Sequence, residues 1–211
     1  MEVNLYELFL KTLNAPYLKV GNSTNYAFIK EKDTLNIYFE DSKGKEDWKN
    51  NLDFPVKAYK VDNGVTWYAH RGFVKVFKEI EEILPYYILD KSIKNVIISG
   101  YSHGAGIAVL CHEYVWYNRQ DLRNNLFSYG FGCPRVLWGS KTKEIINRWE
   151  KFTVIRNIDD IVTHLPPKIL GYFHVGNLLE IGKKGKYSKV DAHKSENILK
   201  ELKEYQKNTF E

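Results

Sequence analysis

Gly100-Tyr101-Ser102-His103-Gly104 sets a hydroxyl between two glycines, directly after the apolar run Val96-Ile97-Ile98 and before the small residues Ala105, Gly106 and Ala108. Strand, then G-x-S-x-G, then helix is the order of a nucleophile turn. Such a serine sits at a sharp reversal, in a strained backbone conformation that lifts its hydroxyl clear of the sheet. Glycine at 100 and 104 leaves the space that a β-carbon would fill. The small residues beyond let the helix close on the strands, and the helix N-terminus turns its amides toward developing negative charge.

A serine hydroxyl is a weak nucleophile until an imidazole takes its proton, and the imidazole needs a carboxylate to orient it. After G-x-S-x-G the expected chain order is Ser, then Asp or Glu, then His. Asp159 and Asp160 follow the apolar stretch Phe152 to Arg156, at a sheet edge where such an acid belongs, whereas Asp121 and Glu144 fall on solvated helix faces. Three histidines come later. His164 shares a loop with the aspartates, His174 sits between Phe173 and Val175 as a partly buried structural residue would, and His193 occupies the polar Asp191-Ala192-His193 segment. Loop position alone gives His193 a modest edge. The opposite chain order, base and acid before serine, finds only His70 and Asp90, which make no convincing pair.

These side chains need a scaffold. Val3, Tyr6, Leu10 and Leu13 recur at helical spacing until Pro16. Tyr26–Ile29 and Leu35–Phe39 read as strands around the turn Glu31-Lys32-Asp33, and Val56–Val61 with Val65–Ala69 as a hairpin across Asp62-Asn63-Gly64. Val74, Phe77, Ile80 and Leu84 mark a helix ending before Pro85. A central strand at Val96–Ile98 and a helix over Gly104–Tyr117 follow. Next come a strand at Phe127–Phe131, a helix at Lys141–Lys151 and strands at Phe152–Arg156 and Leu178–Ile181. Ile198, Leu199, Leu202 and Tyr205 share one face of a closing helix. Alternating strands and helices predict an α/β fold with a mostly parallel sheet covered on both sides.

The 211 residues suffice for one domain, expected to span 1–211. Forty-four per cent hydrophobic residues exclude a disordered chain. A net charge of +5 without a nucleic-acid motif argues against a nucleic-acid partner. Cys111 and Cys133 are expected to be free thiols. Glu2, Glu7 and Lys11 interrupt the N-terminal apolar residues, which does not suit a signal peptide, and no window has the length of a membrane span; the expected setting is cytoplasmic. No metal-ligand spacing and no phosphate-binding glycine loop occur, so no cofactor or metal is expected.

Several further stretches resemble the class 3, fungal-type lipases. Phe39-Glu40-Asp41-Ser42 with Asp47-Trp48 and Asn51-Leu52 looks like that family's F-R-G-[ST], D-W and N-L. His70-Arg71-Gly72-Phe73 is similar to H-x-G-F, Gly100–Gly106 to G-H-S-L-G-G, and Gly132-Cys133-Pro134-Arg135-Val136 to G-x-P-R-V. Asn157 through Pro167 resembles N-x-x-D-x-V-x-x-L-P-P, continued by Gly171-Tyr172-Phe173-His174. The stretches keep their order from about Leu35 to Gly176, roughly two-thirds of the chain.

The resemblance implies an α/β-hydrolase-type three-layer sandwich and a serine esterase or lipase acting on acylglycerol or other lipid-type esters. It makes Ser102 the nucleophile, Asp160 rather than Asp159 the acid, and His193 the base; His174 falls on a family histidine that is usually not the base. The oxyanion would be held by the amides of His103 and Ser42. Glu40 and Asp41 depart from the usual Arg and Gly, and two carboxylates near an oxyanion would oppose its charge. They are the best support for the rival reading, a slow or non-catalytic relative that binds a lipid or a protein. Lys43-Gly44-Lys45-Glu46 is short and polar where the family carries an apolar lid, so a minimal lid or none is expected, with little interfacial activation. Tyr101 and Tyr129 are candidates for lining an acyl pocket. Lys183, Lys184, Lys186, Lys189 and Lys194 read as a solvated face, with transient contact to an anionic membrane surface as the second reading.

Overall fold

The computed structural model describes residues 3–20, 24–40, 55–60, 66–139 and 147–210. The chain begins with α1 (Leu5–Asn14), β1 (Leu18–Val20), β2 (Thr24–Glu31) and β3 (Thr34–Phe39). Then follow β4 (Val56–Lys60), β5 (Thr66–His70), α2 (Arg71–Glu81) and α3 (Leu84–Ile88). The centre is β6 (Asn95–Tyr101), α4 (His103–Asn118) and β7 (Leu126–Phe131). The remainder is β8 (Leu137–Trp138), β9 (Phe152–Asn157), β10 (Tyr172–Phe173), β11 (Asn177–Ile181) and α5 (Ser195–Phe210).

Among the described residues the main sheet has the order β1-β2-β3-β6-β7-β9-β11. Its first three strands pair antiparallel, and β3, β6, β7, β9 and β11 run parallel. The period of two decides which layer each side chain joins. On β6, Val96 and Ile98 enter the core beneath α2 and α4, while Ile97 and Tyr101 join the opposite core beneath α1 and α5. On β3, Leu35, Ile37 and Phe39 divide from Tyr38 in the same way. Two helical layers therefore enclose the sheet, as expected of an α/β-hydrolase fold. Every residue from His103 to Val115 of α4 is buried, which explains a helix apolar on all sides.

Two expectations need correction. The helix ends at Glu81 rather than running to Pro85, and Pro85 instead lies in the first turn of α3, where its missing N–H costs nothing. Of the helix expected over 141–151, residues 141–146 lie outside the described residues, Asn147 and Arg148 are helical, and the chain then turns into β9. A second sheet, β10-β8-β5-β4, was not anticipated; two of its strands are two residues long and carry no periodic signal. The hairpin partners β4 and β5 do pair antiparallel. Cys111 and Cys133 are buried free thiols.

Candidate active site

The sharp turn after β6 is present. Ser102 has φ 53° and ψ −116°, a left-handed conformation held because Ser102 N–H donates to the Phe131 carbonyl at 2.9 Å while α4 starts at once. The flanking glycines are required by backbone, not by side chains. A β-carbon on Gly100 would lie 2.3 Å from the Gly104 carbonyl oxygen, and one on Gly104 would lie 2.3 Å from that of Phe39. The second contact also shows that the end of β3, which leads to the expected oxyanion residue, is packed against the first turn of α4.

Ser102 Oγ lies 2.7 Å from His193 Nε2, and His193 Nδ1 lies 2.8 Å from Asp160 Oδ2. A carboxylate oxygen only accepts, so Nδ1 carries the proton and Nε2 is left to take the serine's. The second Asp160 oxygen, Oδ1, accepts from Val162 N–H at 2.8 Å, and the Asp160 carbonyl accepts from Thr163 Oγ1 at 2.8 Å. Asp160 is fully buried, whereas Ser102 keeps a small accessible surface. Three side chains from β6–α4, the loop after β9 and the turn at Asp191–His193 thus meet as a chain of hydrogen bonds.

The competing candidates lie away from Ser102 Oγ or are bonded to other groups. Asp159 accepts from Gly185 N–H at 2.6 Å. His174 Nε2 donates to the Thr163 carbonyl at 2.7 Å, so it braces the loop that carries Asp160. His164 is exposed in the short turn Val162–His164 of that same loop. His70 caps α2, its Nδ1 accepting from Gly72 N–H at 3.1 Å, and Asp90 pairs with Lys30 and Ser92. Asp121 is half exposed and bound to Arg119.

On the oxyanion side, His103 opens α4, where the first amides have no carbonyl within the helix to bond. Its imidazole is buried against Phe73 and pushed down to about 4 by burial, with His70 adding to the effect. It therefore stays neutral and adds no charge. Ser42, Asp41, Glu144 and the polar segment Lys43–Glu46 lie outside the described residues. Glu40 is described, and its carboxylate accepts from Asn25 Nδ2 on β2, the strand flanking β3 on the side away from β6. That bond holds the charge toward the sheet edge. Among the described residues no group of three or more His, Cys, Asp or Glu could hold a metal ion.

Gly132, Arg135 and Asn157 also shape the site, though no individual role for them is legible in the sequence. Gly132 has φ +57°, and a β-carbon there would fall 2.8 Å from His193 Cε1 and 3.1 Å from Asp160 Oδ2. Arg135 binds the carbonyls of His164 and Pro166 and so fastens the loop that carries Asp160. Asn157 Nδ2 donates to the Ala192 carbonyl at 3.0 Å, tying β9 to the base's turn. Tyr101, a candidate for lining an acyl pocket, stacks its ring on His193, and its hydroxyl donates to the His193 carbonyl at 2.6 Å. Among the lysines around the base, Lys186 pairs with Glu201 and Glu204, and Lys194 with Asp191.

Known proteins resemble this chain in sequence and in fold. The model of the family "Lipase (class 3)" matches residues 37–170. A lipase of Rhizomucor miehei is 29% identical over 148 residues, covering 68% of this chain and 40% of that protein; the chain thus spans about two-fifths of that relative's length. A fungal lipase solved in complex with an inhibitor superposes with a TM-score of 0.69 at 24% identity, over 84% of this chain and 78% of that one. A triacylglycerol lipase whose catalytic centre is a serine-protease triad superposes with a TM-score of 0.62 at 24% identity, over 79% and 66%. These structural likenesses establish the fold.

Proposed function

The chain belongs to the class 3 lipase family, and on that footing we propose that it is a serine hydrolase cleaving carboxylic esters of lipid type. The observation that carries the reading is the unbroken contact from Ser102 Oγ through His193 to Asp160 Oδ2. Ser102 attacks the ester carbonyl as His193 Nε2 takes its proton; Asp160 steadies the imidazolium. The His103 amide, with Ser42, holds the tetrahedral oxyanion until the alcohol leaves with the proton from His193. Water, deprotonated by His193, then attacks the acyl-enzyme, and Ser102 leaves with that proton as the acid departs. No cofactor enters these steps.

The reading extends to one domain over 1–211 and to a cytoplasmic setting, which the two buried free thiols support. The polar Lys43–Glu46 segment supports hydrolysis of short or dispersed esters with no jump in rate at the substrate's solubility limit. Hydrolysis of p-nitrophenyl esters of rising chain length, below and above that limit, tests both points. Turnover should be measurable in the wild type and fall on the order of 10⁶-fold in Ser102→Ala. Wild-type protein without turnover favours the rival, a lipid- or protein-binding relative, and a rate jump at the limit contradicts the lid argument.

A further inference from the structure

We propose that Tyr101 is a positioning residue that couples the nucleophile's turn to the base; the proposal rests on the serine-hydrolase reading above. Tyr101 is the last residue of β6 and the immediate neighbour of Ser102, so the bend that presents the hydroxyl also fixes this ring. The ring faces the layer under α1 and α5, is 7% exposed, and packs edge-on against Phe9 of α1 at 5.4 Å between centroids. It also faces the imidazole of His193, nearly parallel at 28° and 5.3 Å away. Its hydroxyl donates to the main-chain carbonyl of the same histidine at 2.6 Å.

One side chain therefore constrains His193 twice, at the ring and at the backbone. The remaining bonds on the base's turn come from elsewhere. Asn157 holds the Ala192 carbonyl, Asn197 the Asp191 carbonyl, and Ser188 and Lys194 the Asp191 carboxylate. These bonds fix the turn to β9 and to α5 but not to β6. Asp160 orients the ring from the far side at Nδ1. Tyr101 links the turn to the strand that carries Ser102, and the separation between Oγ and Nε2 depends on that link. Proton transfer requires that separation to stay within hydrogen-bond reach, and small displacements cost rate steeply.

Tyr101→Phe keeps the ring and deletes the O–H; Tyr101→Leu deletes both. In p-nitrophenyl ester hydrolysis, Tyr101→Phe should lower kcat roughly tenfold, the weight of about one hydrogen bond, and leave KM unchanged. Tyr101→Leu should lower it further. The second readout needs no turnover: the proton on His193 Nδ1, followed by NMR, should be a single sharp signal in the wild type and broadened or lost in Tyr101→Phe. Unchanged kcat and an unchanged signal overturn the proposal. A raised KM at constant kcat also overturns it, because Tyr101 would then be a wall of the substrate pocket. Should Tyr101→Leu fail to fold, Tyr101→Phe decides. Should the wild type hydrolyse no ester, the serine-hydrolase reading fails by itself and the Nδ1 signal decides the positioning claim alone.

Discussion

Both carboxylate oxygens of Asp160 are engaged, one by His193 Nδ1 and one by Val162 N–H, so rotating this side chain would break two bonds at once. Asp160→Asn keeps the shape but offers an amide where the imidazole needs an acceptor. The histidine then turns to the wrong tautomer, and kcat should fall by about 10⁴ while the protein stays folded. His174→Ala should cost far less, because that ring only braces the Thr163 carbonyl; comparing kcat of the two variants separates the histidines. At this scale the sequence was informative about Ser102, whose neighbours announce a turn, and mute about the base. Three histidines follow the aspartates, and nothing local distinguishes a ring bonded to a carbonyl from one bonded to a carboxylate. The family pattern chose His193, and His193 is the ring that reaches both Ser102 and Asp160. The link from Tyr101 to His193 was not legible, because the two lie 92 residues apart.

Elements explain why the motif residues stand where they do. His70 caps α2 and thereby aims Phe73 at α4, where Gly106 leaves the room: a β-carbon there would lie 2.6 Å from the Phe73 ring. Arg135 fastens the loop after β9, and Gly132 clears space for the triad itself. Gly132→Ala should therefore remove most ester hydrolysis, because the β-carbon falls on His193 and Asp160, and cost about 1–2 kcal/mol of stability for an L residue at φ +57°. Gly104→Ala should instead destabilise by several kcal/mol, since the facing backbone of Phe39 and Glu40 cannot yield. Activity and urea midpoints measured together distinguish the two. The apolar runs of β3 and β6 and the helical spacing of α5 were legible. The short strands β1, β8 and β10 were not, because two or three residues give no period and their pairing is decided by tertiary contacts.

The whole molecule carries a pH dependence set by burial. His112, fully buried, donates Nε2–H to the Arg148 carbonyl at 2.8 Å and accepts from Ser128 Oγ at Nδ1 at 2.7 Å, and burial pushes it down to about 4, as it does His103. Between about 4 and the ordinary 6.5 the unfolded chain binds these protons and the folded chain does not. Stability is therefore fully present above 6.5 and is lost as pH falls toward 4, by roughly 1.4 kcal/mol per pH unit for each fully titrating group. Urea unfolding across that range should show a shallower slope in His112→Gln than in the wild type, even though the variant is less stable throughout. An equal slope would mean that His112 does not contribute. The three-layer arrangement that buries both histidines was legible from the alternation of strands and helices; the partners of the buried polar groups were not, because they are chosen by packing across layers.

The central claim is that Ser102 is an activated nucleophile, and covalent labelling with a fluorophosphonate probe tests it most directly. Mass mapping of the labelled wild type should put one adduct on the Ser102 peptide, with labelling abolished in Ser102→Ala and strongly slowed in His193→Ala. Absence of the adduct on folded wild-type protein, or labelling that survives Ser102→Ala, would contradict the account.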